Sequence, residues 1–171
     1  MLLINLVKLY KHSKLHYKEL NVVQHNDPKI RTVIKTRRGI VMSDFKISEQ
    51  QIKAVLALDG EKRYRHFIKE VVGNDVIWVL GTDDGWYLVG DEDESELLPL
   101  WPAKEYAQLY ADECDGGQPI AVSLEDFMHN HVESLSDGGM GVAVFMTPSG
   151  LGTTPSLKQF VRDISDELDK Y

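Results

Sequence analysis

Apolar positions along the chain change their spacing in a way that assigns most of its elements. In Val76 to Leu80 and again in Trp86 to Val89 they are continuous and rich in β-branched and aromatic residues. Between the two runs stands Thr82-Asp83-Asp84-Gly85, whose Asp-Gly step suits the positive φ of a tight turn, so the pattern predicts a β-hairpin. An acidic stretch, Gly90 to Glu96, leads to a third apolar piece, Leu97 to Trp101, and Pro102 then offers the fixed φ of a first helical position. The whole reads as a meander at 76–101 that enters a helix. It holds all three tryptophans, Trp78, Trp86 and Trp101, an aromatic cluster that is a candidate for a core anchor or for an open pocket.

On either side the period becomes helical. Ser48 and Gln51 have capping-box spacing before Ile52, Val55 and Leu56, and Asp59-Gly60 stops that segment. A second helix starts near Glu61, puts Tyr64, Phe67, Ile68, Val71 and Val72 on one face, and is expected to stop at Gly73-Asn74. After the meander, Ala103, Tyr106, Ala107 and Tyr110 mark a helix ending at Asp115-Gly116-Gly117. Pro119 to Val122 reads as a strand, and Ser123 as the cap of a helix that carries Phe127, Met128, His131, Val132 and Leu135 to Asp137-Gly138-Gly139. Met140 to Met146 is a continuous apolar run, as in a buried strand. Thr154-Pro155 offers a cap and first position for a last helix through Leu157, Phe160, Val161, Ile164 and Leu168. Strands and helices intermix around a hairpin, which makes the fold class α+β: a small mixed or antiparallel sheet packed by about five helices. Trp78, Phe67, Phe127, Val144 and Phe160 fall on the inward periods and form the expected core.

Charge divides the chain unevenly. Residues 1–41 carry nine Lys or Arg against two carboxylates, whereas residues 42–171 carry ten against twenty-five. Clear periodicity also begins only after Met42-Ser43-Asp44, which resembles a bacterial protein start. The expected organisation is therefore a basic arm at 1–41, leader sequence read as protein or else disordered, followed by a single α+β domain at 42–171. An acidic body repels phosphate backbones, which disfavours nucleic acid and makes a basic protein the natural macromolecular partner. No apolar run approaches the ~20 residues of a membrane span. Cys114 is the only cysteine, so no internal disulfide can form within the chain and a cytoplasmic setting is the expectation.

Candidate chemistry is sparse. His129 and His131 stand two apart, about 200° from each other on an α-helix, and so cannot share an ion; no metal site and no cofactor is expected. The acidic run Asp91 to Glu96 lacks the graded spacing and central glycine of a calcium loop and reads as a solvated hairpin loop. Ser149, Gly150, Gly152, Thr153 and Thr154 form a glycine-rich loop ahead of a helix, where free amides and the helix dipole can hold an anion. They are the candidate ligand residues, set against a plain connecting loop, because neither a P-loop nor GxGxxG is completed. Cys114 has no base placed beside it by sequence, Ser149 and Ser156 lie outside any GxSxG elbow, and no carboxylate pair is singled out. The catalytic set is read as none.

The strings RYRHFIKEVVGNDVIWVLGTDDGWYLV, ELLPLWPAKEYAQLYADE and IAVSLEDFMHNHVESLSDGGMGVAVFMTPSG carry a resemblance. They look like the bacterial family known as domain of unknown function 2750, over about Ser48 to Lys170. Tyr64, Phe67, Trp78, Asp84-Gly85, Pro99 to Pro102, Ala107, Leu124 and Phe127 carry the likeness. A looser, fold-level similarity links the order of hairpin, "LPLWP" helix entry and β-run to the N-terminal domain of enhanced-serine-sensitivity proteins. The resemblance implies no activity and no cofactor. The expectation is a small bacterial cytoplasmic binding or accessory protein, of immunity or regulatory type. The rival is a phosphate- or small-ligand-binding enzyme that uses the 149–154 loop.

Overall fold

The computed structural model describes residues 33–36, 39–42, 47–83, 85–90, 95–114, 117–150 and 152–171, with the backbone alone for 33–42. The expectations placed on residues 1–32, on Ser43-Asp44, on Asp84, on Asp91 to Glu94 and on Asp115-Gly116 lie outside the described residues. β1 (Val33–Thr36) and β2 (Gly39–Met42) pair antiparallel, and β1 lies beside the later strand at Gln118–Ser123.

Helix α1 (Glu49–Leu56) opens with the expected capping box: Ser48 Oγ accepts from the Gln51 amide at 3.2 Å, and Gln51 Oε1 accepts from the Ser48 amide at 3.1 Å. Helix α2 (Gly60–Asn74) is capped by Asp59, which accepts from the Lys62 amide. Its Arg63 is buried and turns back to donate to the Leu58 carbonyl at 2.6 Å and the Leu56 carbonyl at 3.5 Å, which satisfies oxygens that the end of α1 leaves open. The expected stop at Gly73-Asn74 is not used. The helix runs through both and ends on Asp75 at φ 56°, a left-handed conformation that Asp tolerates better than most residues.

From there β3 (Val76–Thr82) takes the centre of the sheet. β7 (Gln118–Ser123) lines one of its edges antiparallel, from Val76↔Ser123 to Gly81↔Gln118. At the other edge, Trp78 and Trp101 exchange two backbone hydrogen bonds of 2.9 Å and bring in β6 (Glu96–Leu100). β8 (Gly141–Val144) then joins β6 in parallel, which explains why it is apolar throughout. Away from the Trp78–Trp101 junction β3 and β6 diverge, and the strand expected at Trp86 to Val89 fills the gap as two short pieces. β4 (Gly85–Trp86) enters along β3, the chain crosses over at Tyr87-Leu88, and β5 (Val89–Gly90) leaves along β6. Changing partner splits the strand, although the Tyr87 amide still reaches the Leu80 carbonyl at 2.9 Å.

Successive side chains on a strand alternate faces, and cross-strand partners share one. The Gly81↔Trp86 register therefore puts Trp86 on the side of Val79, while Trp78, Leu80 and Tyr87 project to the other. On the Trp78 side lies α3 (Lys104–Cys114), whose Tyr110 ring meets Trp101 at 5.1 Å and Tyr87 at 6.4 Å. On the Trp86 side lies a continuous helical segment of three parts: α4 (Leu124–Asp126), a π-helical turn at Phe127–His131, and α5 (Val132–Asp137). Ring contacts Trp86–His131–Phe127–Phe160–Phe67 join this segment to α2 and to α6 (Leu157–Leu168). All five residues expected in the core are buried.

Two ends differ from their sequence expectation for one reason. β8 stops at Val144, short of Met146, because Phe145 adopts φ 54° while its amide donates to the Leu100 carbonyl at 2.8 Å. A bulky residue at positive φ is strained and needs its surroundings to hold it, and here the ring packs on Tyr106 at 4.7 Å. Past that bend the chain returns, and Thr153 pairs with Val144 through bonds of 2.7 and 3.0 Å. The bridge keeps Thr154-Pro155 out of the helix. Ser156 caps α6 instead, accepting from the Gln159 amide at 3.2 Å. The architecture is α+β, with an antiparallel sheet β4-β3-β7 and a mixed sheet β5-β6-β8 that meet at the Trp78–Trp101 bridge.

Candidate functional site

The loop at 147–156 is held mostly by its own chain. Thr147 is buried with its hydroxyl 2.8 Å from that of Ser149, and Gly150 donates its amide to the Thr147 carbonyl at 2.8 Å. Thr153 spends its amide on Val144 and its hydroxyl on the Gly60 carbonyl at 3.3 Å. Gly152 runs so close to Met146 that a Cβ would meet its side chain at 2.9 Å, so glycine here serves the close approach of two chain segments. Thr154 is exposed and leaves the helix cap to Ser156. Of the candidate ligand residues, Thr153 is thus committed to the fold, and the helix terminus lies two residues beyond Thr154.

The tryptophans separate into two environments. Trp101 is wholly buried and donates Nε1–H to the Met146 carbonyl at 2.8 Å, and Trp78 is buried beside it at the sheet junction. Trp86 stands on the opposite face, half-buried, with its ring 4.5 Å from the imidazole of His131.

What holds that imidazole is the π turn. In an α-helix residues five apart lie on different faces, whereas the wider π turn stacks i over i+5. Asp126 Oδ2 therefore comes within 3.1 Å of His131 Nε2. The same carboxylate accepts from Asn130 Nδ2 at 2.6 Å, and the Asp126 amide is fixed by the Ser123 cap at 3.1 Å. His129 points outward, its Nδ1 2.9 Å from the Glu125 carbonyl. Burial lowers the pKa of His131 from its ordinary value, and the Asp126 carboxylate opposes that shift without reversing it. The result is an imidazole held neutral at physiological pH against an indole face, its ring orientation set by a carboxylate. α-Helical spacing conceals the Asp126–His131 pair, because nothing in the sequence announces a π turn.

Among the described residues no three His, Cys, Asp or Glu side chains converge as metal ligands, and no helix is long and apolar enough to cross a membrane. The other perturbed groups are mostly tyrosines. Burial pushes Tyr64 up, helped by its hydrogen bond of 2.7 Å to Asp163, which ties α2 to α6. Tyr106 is pushed up to about 12 by burial first and then by Glu70 and Glu105.

The family model described as "Protein of unknown function (DUF2750)" matches residues 64–164, which spans the whole β3–β8 sheet with α3, the π turn and most of α6. The chain belongs to the DUF2750 family. Both tryptophan environments and the Asp126–His131 pair lie inside the span that defines this DUF2750 chain, whereas α1 and the β1–β2 hairpin lie before it. No curated protein and no solved structure matches the chain.

Proposed function

We propose that this DUF2750 chain is a small, non-catalytic binding or accessory domain of the bacterial cytoplasm whose partner is a basic protein. The observation that carries the reading is Trp86, a half-buried indole mounted on a frame of sheet and π turn. An aromatic side chain whose rotamer is fixed by packing loses little entropy on association, and such residues recur as binding hot spots. Residues 42–171, with ten basic against twenty-five acidic side chains, supply the field that steers a basic protein in and repels nucleic acid. The rival reading, a phosphate site at 149–154, is weakened by the commitment of Thr153 to Val144 and Gly60.

The test is affinity capture at low salt, with wild type and Trp86→Ala side by side, followed by titration of the purified partner. A basic protein should be retained by wild type, weakened at least about tenfold by Trp86→Ala, and weakened again as the Debye length falls from ~10 Å at 0.1 M to ~3 Å at 1 M salt. An acidic partner indifferent to salt and to Trp86 refutes the reading. A thermal-shift screen against nucleotides and sugar phosphates addresses the rival, since a ligand bound only to the native state raises its melting temperature.

A further inference from the structure

Helix α3 ends on Cys114, the single cysteine of the chain, which is half-buried. Tyr110 lies one turn before it on the same side of the helix. Tyr87, between β4 and β5, presents its ring edge-on to Tyr110 at 6.4 Å with an interplanar angle of 67°. Only 3% of Tyr87 is exposed, and its buried hydroxyl has no hydrogen-bond partner. The Cys114 thiol lies close enough to the two phenols to raise their cost of ionisation. Burial first, then Cys114, pushes Tyr87 up against a smaller opposing effect of the Tyr110 hydroxyl, and burial first, then Tyr87 and Cys114, pushes Tyr110 up. Both hydroxyls consequently stay protonated donors at neutral pH, and the Tyr87 hydroxyl, with no partner inside 3.5 Å, has only the neighbouring Tyr110 hydroxyl to approach. A buried donor without an acceptor calls for an explanation, and thiol sulfur is only a weak acceptor.

We propose that Cys114 is a site of reversible oxidation by hydrogen peroxide, at which the oxygen gained by Sγ accepts hydrogen bonds from the Tyr87 and Tyr110 hydroxyls. The Cys114 thiolate attacks one peroxide oxygen, so that an S–O bond forms as the O–O bond breaks. Sulfur is oxidised by two electrons, and the hydroxide that leaves takes up the proton released by the thiol, giving water. The sulfenate oxygen is a charged acceptor, which the two phenols can hold far more strongly than they hold sulfur. Because the chain has no second cysteine, this product cannot close an internal disulfide. It persists until an external small thiol attacks Sγ, releasing the oxygen as water and forming a mixed disulfide that a further thiol reduces. Tyr87 and Tyr110 are positioning residues in this scheme, and the site is independent of the Trp86 face.

The experiment treats the full chain with a few equivalents of hydrogen peroxide at neutral pH and traps sulfenate with a 1,3-dione probe. The peptide bearing Cys114 is then followed by mass spectrometry, with dithiothreitol added in a parallel arm. Wild type should give the dione adduct at Cys114 and return to thiol with dithiothreitol. Tyr87→Phe and Tyr110→Phe keep the rings and remove one donor each. Each should pass from sulfenate to the irreversible sulfinate about tenfold faster, as expected for loss of one hydrogen bond to a charged group. Melting curves show that a variant is folded, and either variant suffices if the other is not. Wild type that passes to sulfinate as fast as the variants, or a native thiol that stays unoxidised under conditions that oxidise it in urea, overturns the proposal.

Discussion

On the α3 face of the sheet Trp101, Tyr110 and Tyr87 pack ring against ring, closed off from water, and the indole nitrogen of Trp101 is spent on the Met146 carbonyl. On the opposite face Trp86 meets an imidazole instead of a phenol, stays half in solvent, and leads inward through His131 and Phe127 to the Phe160–Phe67 core. The two tryptophans come from one meander and from similar apolar runs. Register separates them: Trp78 and Trp101 are paired at the junction of β3 and β6, whereas Trp86 sits opposite Gly81 near the rim. A Cβ at Gly81 would run into Ile120, so that strand position is kept bare by close packing across the sheet. A buried aromatic residue fixes the fold, and one at the rim of the same sheet is left to interact.

The largest expected effect tests that division directly. Trp101→Ala removes a fully buried indole and strands the Met146 carbonyl, so urea unfolding should show a loss of about 3–5 kcal/mol. Trp86→Leu should cost about 1 kcal/mol, in the ordinary range for a partly exposed site. Equal losses at the two positions would remove the basis for calling one structural and the other available.

Much of this contrast was legible in advance, and the part that was not has a physical cause. The meander, both Ser caps at 48 and 123 and the inward residues of α2 and α6 follow from local chemistry, and local chemistry is what a sequence displays. The divergence of β3 from β6 depends on which strands meet, so one apolar run at Trp86 to Val89 became two pieces with Tyr87 between them. Likewise, the bridge from Thr153 to Val144 links residues nine apart around a strained Phe145, and it moved the start of α6 from Thr154 to Ser156. The Asp126–His131 pair was hidden because it needs a π turn, and α-helical spacing put those two residues on different faces.

A smaller effect separates those two N-terminal candidates of α6. Ser156→Ala should cost about 1 kcal/mol, the ordinary worth of a side-chain cap, while Thr154→Ala should stay within about 0.5 kcal/mol. Denaturant midpoints of the two variants decide it. The reverse order would return the cap to Thr154 and reopen the loop as an anion site.

The smallest expected effect concerns the pH response of the Trp86 face. Burial favours neutral His131, so its pKa in the folded chain lies below the 6.5 it has when unfolded. As pH falls the unfolded chain therefore binds the proton first. The contribution of His131 to stability is fully present above pH 6.5 and is lost as pH falls from there through the folded pKa. Trp86 reports the event, because an imidazolium formed 4.5 Å from its ring alters indole emission. Tryptophan fluorescence should thus titrate with a midpoint below 6.5, and His131→Gln should abolish that step. Asp126 raises the pKa against the effect of burial, so Asp126→Asn should move the midpoint to still lower pH. A midpoint at or above 6.5, or one that ignores Asp126→Asn, would mean that the π turn does not hold His131 as described, and the Trp86 face would lose the rigidity on which its proposed role in binding depends.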